Sequence, residues 1–112
     1  MAKDIINNST SLASYIRRKS IEMTRQAKAS HIGSVLSCAD ILAVIYFSIL
    51  KIEKAEDLVE RGRFIMSKGH ASAGLYACFA GLGLIKDSEL KNYCRDGSKF
   101  SCHVNHKLSP FI

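Results

Sequence analysis

Apolar residues recur at helical spacing near the start of the chain. Leu12, Ile16, Met23 and Ala27 share one stripe, and Arg17, Arg18 and Arg25 fall away from it. This pattern predicts an amphipathic helix that begins at a Ser9 or Thr10 cap and runs to about Ala29. Ser30 to Ser34 then read as a turn. Ser37 and Asp40 stand at the spacing of a capping box, with a shorter acid than the usual glutamate. Ala39 to Leu50 is apolar nearly all round, which predicts a helix buried on most sides.

Lys51 to Arg63 is charged and reads as a surface connection. Phe64-Ile65-Met66 is short enough to be a buried strand. The chain breaks at Gly69, and Ala71 to Ala80 is rich in small residues, which suits a helix packed closely on its neighbours. Gly74 inside it costs about 1 kcal/mol relative to alanine. Gly81 and Gly83 suit the end of that helix. Asp87 or Ser88 can cap a last short helix through Tyr93, and the remainder reads as loop. No repeat, low-complexity segment or linker interrupts residues 1–112, so one domain is expected.

Composition narrows the function classes. The net charge is +6, but the basic residues are dispersed and the one dense cluster is Arg17-Arg18-Lys19. Nucleic-acid binding would need a continuous basic face with aromatic platforms, and only Tyr15 lies near the cluster. A solvated helix face explains it more simply. A basic surface also favours small anions such as sugar phosphates. Cys38 and Cys78 sit in apolar helical patterns and read as small core residues. No Cys-x-x-Cys occurs. The first residues lack the apolar core of a secretion signal. The longest apolar run, Ile41 to Leu50, is too short to span a bilayer. No membrane or nucleic-acid partner is therefore expected, and the cytoplasm is the default compartment.

The candidate chemistry lies in histidines at turns. His31 stands in His31-Ile32-Gly33-Ser34, His70 in Ser67-Lys68-Gly69-His70-Ala71, and His103 in Cys102-His103-Val104-Asn105-His106. Imidazoles at loop mouths are easily exposed and suit proton or phosphate chemistry. Gly33 and Gly69 would let the backbone turn tightly beside them. Lys68 fits either a phosphate-facing ammonium or a plain surface residue, and His106 reads as surface. Cys94, Cys102, His103 and His106 could together bind zinc. Adjacent Cys102 and His103 are awkward for one tetrahedron, however, and the paired short spacing of zinc sites is missing.

These three histidine motifs, in this order and spacing, resemble the amino-terminal part of transketolase and its thiamine-diphosphate-dependent relatives. Leu75-Tyr76-Ala77 and Gly81-Leu82-Gly83 also match, and the likeness runs from about Leu12 onward. The Ser-Lys-Gly-His-Ala form is most like the two-gene version of the enzyme, whose cofactor-domain subunit is a separate chain. The resemblance implies an α/β fold: the amino-terminal portion of a thiamine-diphosphate-binding domain, mostly helical over residues 1–112, with one or few parallel strands. It implies that His70 contacts the cofactor diphosphate. It implies that His31 and His103 line the substrate channel as catalytic residues. Thiamine supplies the carbanion chemistry, and the protein holds, orients and moves protons.

The implied reaction moves a two-carbon ketol unit between sugar phosphates, with thiamine diphosphate and Mg2+ in the complete enzyme. The chain departs from the family in two respects. The Gly-Asp-Gly segment that ligates the metal is absent, and Pro110-Phe111-Ile112 replaces the usual glycine beyond the third histidine. Metal ligands are thus not expected in this chain. It is expected to be a truncated or partial domain, inactive alone. Its expected partners are the remaining transketolase domains or a separate carboxy-terminal subunit, in a homo- or hetero-oligomer. The alternative is a non-catalytic helical remnant or interaction module.

Overall fold

The computed structural model describes residues 8–50 and 66–94. Helix α1 spans Ser9–Ala27, α2 Ile32–Val44 and α3 Ser72–Gly81. A π-helical turn, Ile45–Ile49, continues α2, and 3-10 segments occupy Gly69–Ala71 and Asp87–Asn92. All regular elements among the described residues are helical. The strand expected at Phe64-Ile65-Met66 falls partly outside them, since only Met66 is described, and Met66 carries no regular structure.

Helix α1 forms where its stripe predicts, but Asn8 caps it rather than Ser9 or Thr10. Ser11 N–H donates to Asn8 Oδ1 at 2.8 Å, and Asn8 N–H donates back to Ser11 Oγ at 3.3 Å. This reciprocal pair satisfies two donors that a helix start leaves open. The helix stops at Ala27, two residues before the expected end. Lys28 enters the left-handed region at φ 52°. Its N–H reaches Arg25 O, while Ala29 N–H reaches Thr24 O. Those are the paired bonds of a Schellman closure, here with lysine where glycine is usual. Gly83, at φ 81°, closes α3 in the same way, with Leu84 N–H on Phe79 O. As expected, the helix ends at these glycines: Gly81 is its last residue, packed on Leu12 and Tyr15.

Helix α2 begins at Ile32 with His31 at the cap position, six residues before the cap expected at Ser37. Ser37 is a mid-helix residue whose hydroxyl donates to the Ser34 carbonyl at 3.0 Å. Asp40 does not close a capping box, and instead accepts from Arg17 of α1 at 2.9 Å. The α2 segment is not buried on most sides. Val35, Ala39, Leu42, Ala43 and Tyr46 face the core, whereas Ile41 is 59% exposed and Ile49 67% exposed. With the π turn, the helical run from Ile32 to Ile49 has 18 residues and is apolar enough to cross a membrane by length and composition. Ile41 to Leu50 is thus only part of a longer apolar run, and its shortness does not rule out a span. A core helix passes the same measure, and this one packs on both α1 and α3.

Helix α3 is the most enclosed element: every residue from Ser72 to Gly81 is buried. Helices α1 and α2 both lie against it and against each other, and Asp87–Asn92 closes over α1 and α3. Leu12, Ile16, Val35, Leu42, Leu75, Tyr76 and Phe79 form the core, with Tyr93 edge-on to Tyr76. The Arg17-Arg18-Lys19 cluster is engaged on this body. Arg17 pairs with Asp40, Lys19 pairs with Glu22, and Arg18 lies over the Tyr15 ring.

Candidate functional site

The site is built where the start of α2 meets the turn before α3. His31 is the residue just ahead of α2 and holds a left-handed backbone at φ 73°. Its carbonyl accepts from Ser34 N–H at 3.1 Å and from Val35 N–H at 3.4 Å, so the helix starts without a side-chain cap. The tight turn expected of Gly33 is therefore made by His31. Gly33 lies inside the helix, and a Cβ there would meet open space.

Across from it, the 67–71 segment folds back on itself. Gly69 N–H donates to Ser67 O and Ala71 N–H to Lys68 O, both at 3.0 Å. Ala71 and Ser72 are fully buried and anchor this turn at the head of α3. The anchored turn leaves His70 on the surface, where its ring meets that of His31. The centroids are 4.3 Å apart and the planes tilt by 52°. Two of the three predicted site residues are thus brought together. His103 lies outside the described residues, as do Cys102 and His106 of the zinc alternative.

Lys68 also belongs to this corner. Its Nζ donates to Ser37 Oγ of α2 at 2.5 Å. Cys38, beside Ser37, is half-buried, and its thiol donates to Ser34 O at 3.3 Å. Burial pushes the Cys38 thiol above its ordinary range, and the Lys68 ammonium acts in the opposite direction. Cys38 is thus packed against the core at the edge of the site rather than enclosed within it as its sequence setting suggests. Cys78 does occupy the core.

The corner thus gathers imidazoles, an ammonium, a hydroxyl and the start of a helix that has no side-chain cap. These are the groups that hold an anion. Sequence reasoning missed Ser37 and Cys38 as members. Their signal emerges only once α2 is started at Ile32, because Ser34, Ser37 and Cys38 then stand at i, i+3 and i+4 on one face. Among the described residues, no three His, Cys, Asp or Glu side chains gather closely enough to hold a metal ion.

Residues 8–112 match the family described as transketolase, thiamine diphosphate binding domain. The chain is 36% identical over 89 residues to a separate subunit of apulose-4-phosphate transketolase from Phocaeicola vulgatus, covering 78% of this chain and 31% of that protein. It is 38% identical over 99 residues to the equally named protein from Actinobacillus succinogenes, covering 85% of this chain and 36% of that one. Human transketolase is 34% identical over 92 residues, which is 81% of this chain and 15% of the human protein. The chain therefore spans about a third of the length of the separate subunits it matches.

Proposed function

Because this chain belongs to the transketolase family, in its thiamine diphosphate binding domain, we propose that it forms the amino-terminal segment of a transketolase-like transferase. The complete enzyme would move a two-carbon ketol unit between sugar phosphates. The observation that carries this reading is the His31–His70 contact, which joins two distant motifs at one corner.

The residues present fit part of the cofactor. His70 and Lys68 would face the diphosphate, where a cation and an N–H donor stabilise negative charge. The α2 start, which has no side-chain cap, and open space beside Gly33 would leave room for oxygen to approach. His31, and His103 from outside the described residues, would line the substrate channel, hold donor hydroxyls and move protons. Bound thiamine supplies the carbanion chemistry.

The metal is different. The sequence has no Gly-Asp-Gly, and the described residues offer no ligand cluster. Mg2+ would have to be held by regions beyond these residues, so the chain by itself would be inactive. A carboxy-terminal partner follows from this, because two of the relatives are named as separate subunits. The α/β sheet of the fold and a cytoplasmic location belong to the same reading.

The test is a chimaera in which residues 8–112 replace the matching segment of the Phocaeicola vulgatus protein, combined with the rest of that enzyme. Ketol transfer should be retained. His70→Ala should weaken cofactor binding by about 10–100-fold, the loss expected for one hydrogen bond to a charged group. Calorimetry on the isolated chain with thiamine diphosphate and Mg2+ should show no tight binding. A folded chimaera without activity, or one indifferent to His70→Ala, would count against the assignment.

A further inference from the structure

The geometry points to Ser37 as a positioning residue: its hydroxyl holds the Lys68 ammonium over the His31–His70 corner without neutralising it. This inference rests on the diphosphate-facing reading above. Ser37 and Lys68 come from different elements, one in α2 and one in the turn before α3, and meet at 2.5 Å. The serine hydroxyl has a single proton, and that proton goes to the Ser34 carbonyl at 3.0 Å. Its lone pairs are then turned to accept from Lys68. The bond order is therefore fixed: ammonium to hydroxyl, hydroxyl to helix carbonyl.

The choice of a neutral acceptor matters. A lysine head on a flexible four-carbon stem is free to sample many rotamers. A carboxylate in place of Ser37 would hold it but cancel its charge. The nearest acid along the α2 sequence, Asp40, is engaged with Arg17. A hydroxyl fixes the ammonium and leaves the positive charge available for an anionic ligand. An ammonium has three donors, and Ser37 takes one. The contact to Ser37 places the ammonium on this turn of α2, beside Cys38. Lys68 lies two residues before His70, and His31 precedes the helix that carries Ser37. The bond thus ties the two halves of the corner together.

Acylation of lysine side chains in the full chain by an excess of an activated acetate ester, read by peptide mass spectrometry, tests this directly. Ser37→Ala should raise the Lys68 labelling rate by about two- to tenfold, the scale of one lost hydrogen bond at an exposed site. Ser37→Thr, which keeps the hydroxyl, should restore the native rate. Lys28, exposed at the end of α1, is the internal reference and should not change. Equal Lys68 rates in native and Ser37→Ala chains would overturn the proposal, as would parallel changes at Lys28, which would signal a general loss of structure. A second arm adds inorganic pyrophosphate at millimolar concentration. It should slow Lys68 labelling in the native chain, and less so in Ser37→Ala. Absence of that protection, with the Ser37→Ala effect intact, would overturn the diphosphate reading instead.

Discussion

The Tyr15 phenol sits between α1 and the Asp87–Asn92 turn and donates to the Asp87 carboxylate. Burial, then that hydrogen bond and the Asp87 charge, push its pKa well above the ordinary value of 10.0, while Arg18 pulls weakly the other way. Above about pH 10 the unfolded chain loses the phenol proton while the folded chain keeps it. The stabilising contribution is complete below that pH and falls as pH rises beyond it. Urea unfolding followed by circular dichroism should show stability dropping above about pH 10 in the native chain. In Tyr15→Phe that drop should shrink, with a loss of about 1 kcal/mol near neutral pH for the missing hydrogen bond. Composition identifies Tyr15 only as the aromatic near a basic cluster; its partner, 72 residues away in the chain, is a product of packing.

At the scale of elements, amphipathic periodicity is enough to place α1, because its stripe is bounded by a cap and a polar face. The cap chemistry is legible but the capping residue is not, since Asn, Ser and Thr all stand at that boundary. Asn8→Ala should cost about 1 kcal/mol of stability, measurable as a shift in the urea midpoint with an unchanged slope. The start of α2 is illegible because it has no side-chain cap to recognise. His31 takes a left-handed backbone and offers only its carbonyl. Ser37 imitates a cap in sequence while making the alternative bond open to a mid-helix serine, back to the carbonyl three residues earlier. At the far end, the π turn closes with Leu50 N–H on Ile45 O at 2.7 Å, a departure from helical register that no apolar pattern announces.

For the whole molecule, hydrophobicity points to Ala39–Leu50 as the most buried segment. Yet α3 occupies the centre, and the α2 run turns Leu36, Ile41, Val44 and Ile49 outward. Small residues permit close approach from several sides, and that outweighs raw apolarity. Gly74 shows the balance. Alanine there gains about 1 kcal/mol in helix propensity. Its Cβ, however, would stand 2.9 Å from Val35 Cγ1 and 3.3 Å from Leu42 Cδ1. Valine is stiff at χ1, and overpacking a core costs about 1–3 kcal/mol. Gly74→Ala should therefore be destabilising by about 1 kcal/mol in net terms, checked by thermal and urea unfolding. A stabilised variant would mean that α2 yields more readily than its packing implies.

The chain's order of residues alone determined the α1 stripe, the polar cap chemistry at its start and the breaks that carry His31 and His70, because periodicity and local hydrogen bonding act over a few residues. It also carried the family likeness, since motif spacing survives in one dimension. Which histidines share a corner was decided only by tertiary structure. His31 and His70 meet because α3 draws its preceding turn against the start of α2, and Ser37 joins Lys68 for the same reason. Distant groups converge through the burial of apolar faces, and that sum over the whole core is written in no local segment.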